Sequence, residues 1–448
     1  MKDETESFIH FLLACRHRFK KMDWAKIEQL QLRKGRTIVE FASQNSSFFK
    51  KHYEGYDKND VWSLPLVNKK IMMDNLSAYN TLGFKKENLI SFCLNIEKNR
   101  DFSQRYQGYN VAMSSGTSGN KSIVITSPKE EKYLQAAFFA RFPFPRVLKI
   151  KWAFILRITT PAFNVSKFGQ KLTYISLLDS LNNINKKLED LKPNILSAPP
   201  SLLVQLAKEV NEGKLDINPK RIISYAEVLT PEIKSEIEQI FNVKVFQIYQ
   251  ASEGPIAMPC KHGSLHINED LIRVETIDAN GNPTPPGTPC HKMIVTDLNK
   301  KSQPIIRYEL DDSIIVSEDS CSCGSQFRII KSILGRTDDL FWAKVKKSES
   351  LQPIFPDFIR RAIISSSDGI DDYQAIQRSF IDILIRVLLK SETFDRDVII
   401  SNIKENIIAI FEKLNCIPPQ IEVRLEKPKI NPNSKKLIRI IREFELNT

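Results

Sequence analysis

Residues 114–122, SSGTSGNKS, place hydroxyls (Ser114, Ser115, Thr117 and Ser118 among them), two glycines (Gly116, Gly119) and Lys121 in one short run. Successive backbone N–H groups in a Gly-rich turn make an anion-sized concavity, and hydroxyls and a cation add further donors. The chain has only 15 glycines in 448 residues, so two of them here mark backbone positions that a side chain would obstruct. The run is not a Walker loop: counted back from Lys121, the two glycine places fall on Ser115 and Asn120. Taken alone, such a run also describes an ordinary surface turn.

A second group of reactive residue types lies further along. Cys260 and His266 sit in CKHGSLH, and Cys321 and Cys323 in CSCG. Thiolates and imidazole suit tetrahedral zinc, with His262 as an alternative imidazole. The spacing lacks the paired Cys-x₂-Cys of most zinc motifs, so buried free thiols are the competing reading.

These groups need elements to hold them. Residues 1 to about 100 read as mostly helical, with a turn-like LPLVNKK at 64–70; beyond about 105, short apolar runs alternate with amphipathic helices. The clearest unit is 201–250. SLLVQLAKEVNEG has helical spacing and a Gly stop, and RIISYAE is an apolar run of strand length. TPEIKSEIEQIFN begins with Thr230 as N-cap and Pro231 at the first helical position, and VKVFQIYQ is again a strand. Strand, helix and strand at this spacing form a βαβ unit and predict a parallel sheet. Ligands on such sheets sit at the carboxyl ends of strands, where both YAE (225–227) and YQASEG (249–254) fall. A boundary appears near LGRTDD at 334–339, and the remainder has the size and pattern of a separate small α+β domain.

In order, the chain carries SSGTSGNKS, YAEVL, YQASEG, IIRYELDD, LGRTDD and a Lys-rich tail. This succession resembles the adenylate-forming superfamily of acyl-CoA synthetases and adenylation domains. Within it, the phenylacetate-CoA ligase, coenzyme F390 synthetase and CapK branch is most similar, on LPLVNKK, IIRYELDD and CSCGSQFRIIKSILGR. The resemblance implies an α/β fold: a large N-terminal adenylation domain (1–335) with parallel βαβ sheets, a hinge (336–339) and a small mobile C-terminal α+β lid (340–448).

It also implies the reaction, in which a carboxylate attacks the α-phosphate of ATP to give acyl-AMP and pyrophosphate, followed by acyl transfer to a thiol such as CoA. By this resemblance SSGTSGNKS holds the β- and γ-phosphates, Ala226 and Glu227 border the nucleotide, and Tyr249 stacks on adenine. Ser252 contacts the α-phosphate and Glu253 ligates Mg²⁺, a cation that binds through one or two carboxylates plus phosphates. Asp312 takes the ribose hydroxyls, with Asp311 the fallback; Arg336 lies over ribose and phosphate, and Asp338 is the hinge. The family's Gly-Lys-x-x-Arg has its counterpart in SKKLIR, which makes Lys436 the catalytic lysine and Lys435 the runner-up. The branch also carries a Cys…His…Cys-x-Cys cluster matching Cys260, His266, Cys321 and Cys323, and some members bind structural zinc there.

The chain departs from its relatives in three places. Gln250 and Tyr225 stand where the family has glycine, which is expected to narrow or reshape the acyl pocket. After the hinge, LFWAKVKKSES lacks the Gly-rich turn that lines the pantetheine passage of CoA ligases. The acceptor therefore stays open between CoA and a carrier-protein thiol, an amine or a hydroxyl. A non-catalytic nucleotide-binding relative is the third reading, against which Lys121, Glu253, Asp312, Arg336 and Lys436 retain the required types. The branch favours aryl and arylacetic acids, and dimers are common in it.

Composition fits this picture. The net charge is +12 and the pI about 9.2, with basic residues spread along the chain and no RNA-binding signature, so nucleic acid is not an expected partner. No apolar run is long enough to cross a bilayer. The acidic start, MKDETESF, and the odd count of seven cysteines point to a reducing cytoplasm.

Overall fold

Thr230 caps the helix Pro231–Phe241 by accepting a hydrogen bond from Ile233 N, and Pro231 occupies its first turn, where a missing N–H costs nothing. That helix returns the chain from the strand Arg221–Ser224 to the parallel strand Val245–Gln247. Five strands form this sheet, in the order 170–176, 150–156, 195–198, 221–224 and 245–247, and every neighbouring pair is parallel. One face, with Ala153, Ile155, Leu196, Ile222 and Val245, packs in a cluster with Leu188, Leu203 and Ile237 from three helices. The other face carries Trp152, Phe154, Ile195, Ile223, Tyr225 and Phe246, clustered with Phe142. Both faces are covered, so the strands read as continuous apolar runs without alternation.

The computed structural model describes residues 2–99, 101–113, 122–156, 170–177, 179–336, 340–348, 351–354, 356–431 and 437–444. The chain divides into two compact units, residues 1–310 with 315–332 and residues 311–314 with 333–448. The first unit opens with the helices Lys2–Lys21 and Trp24–Asn45, the second started by Asp23, whose carboxylate accepts from Lys26 N. Ile27, Leu30, Ile38, Val39 and Ala42 form the buried stripe of that helix. At Gly35 the helix passes so close to Trp62 that a Cβ would lie 2.9 Å from the indole ring. Arg141 ties the helix Pro128–Arg141 to buried Asn268 and Asp270, and Gln31 donates to Glu269.

One expected element divides in two. VKVFQIYQ is not a single strand: Val245–Gln247 belongs to the parallel sheet, whereas Tyr249–Ala251 forms an antiparallel hairpin with Gly254–Pro259 in a separate five-stranded sheet. Local apolar pattern cannot register a change of partner sheet, because both ladders accept the same residue types.

In the second unit a four-stranded sheet runs in the order 420–424, 382–389, 370–379 and 440–442. Tyr373, Ala375, Ile383, Ile385 and Val387 pack with Ile399, Ile403, Ile407 and Phe411 of the helix Arg396–Lys413. Those four helical residues recur every four positions and make one face, as the α+β pattern of the tail predicts.

Candidate active site

The last bond of the parallel ladder runs from Ile248 N to Ser224 O, at 2.9 Å. It sets Tyr225-Ala226-Glu227, which leaves one strand, beside Tyr249, which leaves the next. Both lie at the carboxyl edge of the sheet. Ala226 is exposed and takes φ +67°, a left-handed conformation that costs a non-glycine residue roughly 1 kcal/mol. Its neighbours hold it there. Tyr225 is buried, its hydroxyl 2.9 Å from Ile155 O and 3.0 Å from Ser197 O. Glu227 accepts from Ser201 N and Ser201 Oγ, both at 3.0 Å, and so caps the helix Pro200–Asn211.

Ser252 and Glu253 form the turn of the hairpin between Tyr249–Ala251 and Gly254–Pro259. Tyr249 is half-buried, Gln250 and Ser252 are exposed, and Glu253 is only 9% exposed. Behind the turn, a Cβ on Gly254 would stand 3.2 Å from Asp297 Oδ2, so the missing side chain admits that carboxylate. Asp297 also accepts from Asn299 N and Lys300 N at 2.8 and 2.9 Å. Lys300 is buried; desolvation pushes its pKa down, while the carboxylates of Glu130, Asp297 and Glu253 act in the opposite direction. Glu130 is itself bound by Lys301 N, Ser302 N and Ser302 Oγ, joining the cap of the helix Pro128–Arg141 to this loop. Sequence reading passed over Asp297, Lys300 and Glu130, since nothing in TDLNKK separates a buried lysine from a solvated one.

Burial raises Asp297 to a pKa of about 6 from its usual 3.8. The folded state therefore holds a proton that the unfolded chain has released between about pH 4 and pH 6. The contribution of Asp297 to stability is highest below that window and falls as pH rises through it, by about 3 kcal/mol. Asp297→Asn is expected to flatten this descent. Denaturant unfolding of wild type and variant at pH 4 to 7 checks it, and identical pH profiles would refute the assignment.

Cys260, His266, Cys321 and Cys323 come together, their four ligand atoms all within 4.8 Å of one another. A tetrahedral ion with Zn–S about 2.3 Å and Zn–N about 2.0–2.1 Å has S···S edges of about 3.7 Å and S···N edges of about 3.5 Å. Cys260 Sγ and Cys321 Sγ are 3.7 Å apart, and Cys323 Sγ and His266 Nε2 are 3.5 Å apart. His266 Nδ1 lies 2.8 Å from Phe327 O, which accepts its proton and leaves Nε2 with its lone pair towards the thiols. Phe19 of the first helix packs edge-on against His266, at 5.2 Å. His262 is exposed and outside the cluster; its backbone N–H donates to Cys260 Sγ.

No family model matches the chain. Over 253 residues, 53% of this chain and 55% of the relative, it is 25% identical to the phenylacetate-coenzyme A ligase of Thermus thermophilus. It is 29% identical to Protein CapK of Staphylococcus aureus over 172 residues, 38% of this chain and 37% of that protein. These matches span about half the length of the first relative and little more than a third of the second. In three dimensions, 95% of this chain superimposes on 91% of 2-hydroxyisobutyryl-CoA ligase in the postadenylation state with R3-HIB-AMP, at TM-score 0.73 and 16% identity. An anthranilate CoA ligase with anthranoyl-AMP matches 73% of this chain and 66% of its own length, at TM-score 0.51 and 16% identity. The fold is that of the adenylate-forming acyl-CoA ligases.

Within the ligase fold, the remaining expected residues are placed unevenly. Ser114 to Lys121, Asp338, Lys435 and Lys436 lie outside the described residues. Asp312 begins the strand Asp312–Val316 and is half-buried, and Arg336 ends the strand Ile329–Arg336. Arg439, three residues beyond Lys436, is fixed: its guanidinium binds Asp372 at 3.0 Å and its carbonyl accepts from Ala375 N. Among the described residues, no helix is long and apolar enough to cross a membrane.

Proposed function

We propose that the chain activates a small organic acid, aryl or aliphatic, as acyl-AMP with release of pyrophosphate, and then transfers the acyl group to the thiol of CoA. The observation that carries this reading is the Ile248–Ser224 bond, which sets YAE beside the Tyr249–Glu253 hairpin at the carboxyl edge of a parallel sheet. In the first step a carboxylate oxygen attacks the α-phosphorus of ATP, and the bond to the bridging oxygen breaks as pyrophosphate leaves. In the second, sulfur attacks the acyl carbon and AMP leaves.

The protein's part is placement and charge stabilisation. Tyr249 offers a ring face to adenine beside the rigid Ala226 turn, which Tyr225 and Glu227 hold from either side. Ser252, at the tip of the hairpin, reaches the α-phosphate, and Glu253 next to it would hold Mg²⁺. When bound, that cation offsets charge on the phosphates and the leaving group. Residues 114–121 cradle the outer phosphates, Asp312 takes the ribose hydroxyls, and Arg336 lies over ribose and phosphate. The 336–339 hinge lets the small domain bring Lys436 to the reacting groups, and the Arg439–Asp372 pair anchors the chain just beyond it. The cysteine–histidine cluster fits zinc with four protein ligands; such a site is closed, hence structural.

The test is acid-dependent pyrophosphate release from ATP and Mg²⁺, over aryl, arylacetic and short aliphatic acids, with and without CoA. Release that CoA turns over into a thioester is the expected result. Release that CoA leaves unchanged would redirect the acyl group to another acceptor, and absence of both release and ATP binding would end the adenylation reading. Lys436→Ala is expected to slow the adenylation step by roughly 10²–10³-fold, read in the same assay.

A further inference from the structure

Opposite its helical cover, the parallel sheet is layered with aromatic rings. Phe138 stacks on Phe142 at 5.0 Å and on Trp152 at 5.4 Å, and Trp152 meets Phe154 at 6.3 Å. The layer continues to Tyr225, whose ring lies 5.3 Å from that of Phe154. Tyr225 leaves its strand at the carboxyl edge, and its hydroxyl reaches back across the sheet to Ile155 O and Ser197 O on two other strands. The ring is thus held at both ends. Its single hydroxyl proton is shared between those two carbonyls and is not on offer to a ligand. What Tyr225 contributes at this edge is volume.

We propose that Tyr225 is a specificity-determining residue of the acid site, closing its sheet side so that short aliphatic acids are accepted and aryl or long-chain acids refused. The inference rests on the acid-activating reading above. Under that reading the acid's carboxylate meets the α-phosphate near Ser252, and its acyl chain must continue from there. The Ile248–Ser224 bond puts Tyr225 at that edge. A chain heading into the sheet would have to enter space already taken by Tyr225, Phe154 and Trp152, all 9% exposed or less. A packed core of this kind accommodates added volume only by strained rotamers or backbone shifts.

The experiment compares kcat/KM for acetate, propionate, benzoate and phenylacetate in pyrophosphate release by the full-length wild type, Tyr225→Phe and Tyr225→Ala. The wild type is expected to prefer a short acid by about tenfold or more, within the range that pocket volume commands. Tyr225→Ala should move that ratio towards the aryl acids by about tenfold or more, whereas Tyr225→Phe keeps the ring and the wild-type ratio. Tyr225→Leu, expected to shift the ratio part-way, serves where the alanine variant does not fold. Equal wild-type use of aryl and short acids overturns the inference and leaves the ligase reading standing. So does a wild-type ratio in a folded Tyr225→Ala or Tyr225→Leu protein. Absence of acid-dependent release for every acid takes down both.

Discussion

Glu253→Gln is expected to slow acyl-AMP formation by roughly 10²–10³-fold at saturating ATP, with little change in melting temperature. Glutamine keeps the length of the side chain and one carbonyl oxygen but removes the negative charge that would hold Mg²⁺. Glu253 is nearly buried in a hairpin turn, a place where a carboxylate is rare without a partner or a task. The fold tolerates the change because Lys300 still faces Glu130 and Asp297. Initial rates of pyrophosphate release over a range of Mg²⁺ concentrations, with calorimetry on the same preparations, separate the two effects. A variant within threefold of wild type would remove Glu253 from the chemistry. One that loses rate and melting temperature together would make it a packing residue.

The second large effect concerns the cysteine–histidine cluster. Cys323→Ser is expected to lose one equivalent of zinc per chain and to lower the melting temperature by on the order of 10 °C. The ligands come from two stretches far apart in sequence, 260–266 and 321–323, so the ion closes a long loop of chain. The site also underlies the N-terminal helices: Phe19, Ile27, Met22 and Trp24 cluster with Cys260, Cys321, Cys323 and Phe327. Loss of the ion would free the thiols to separate and loosen that cluster. Metal analysis of protein purified without added zinc, with thermal unfolding before and after chelation, checks the expectation. Absence of metal, with a melting temperature indifferent to chelator and to Cys323→Ser, would return these residues to buried thiols. Because the site has four protein ligands and no open position, pyrophosphate release per folded molecule should fall far less than stability.

Much of the fold could be read directly from local residue patterns. Thr230 and Pro231 announce a helix start that the structure reproduces, bond for bond. The apolar runs RIISYAE and VKVFQIYQ announce parallel strands, which the structure places at 221–224 and 245–247. The pattern DVIISNIKENIIAIFEKLN (397–415) announces the last helix, found at Arg396–Lys413. Caps, periodicity and run length reflect interactions between residues a few positions apart, so they are written in the order of the residues. The order of the motifs was likewise enough to point to a resemblance to the adenylate-forming ligases, and that resemblance, not the cysteine spacing, grouped Cys260, His266, Cys321 and Cys323.

What only the tertiary structure decided depends on contacts between residues far apart in the chain. It chose His266 over His262, since only His266 turns into the thiols, with Phe327 O fixing its tautomer. It divided VKVFQIYQ between two sheets at Ile248, which brings Tyr249 beside Ala226. It tied Glu227 to Ser201, buried Lys300 among three carboxylates, and turned Tyr225 into a strut across the carboxyl edge of the parallel sheet. Residue type sets what each of these groups can do. Burial and partners set which of those things it does, and both come from parts of the chain that the local pattern does not name.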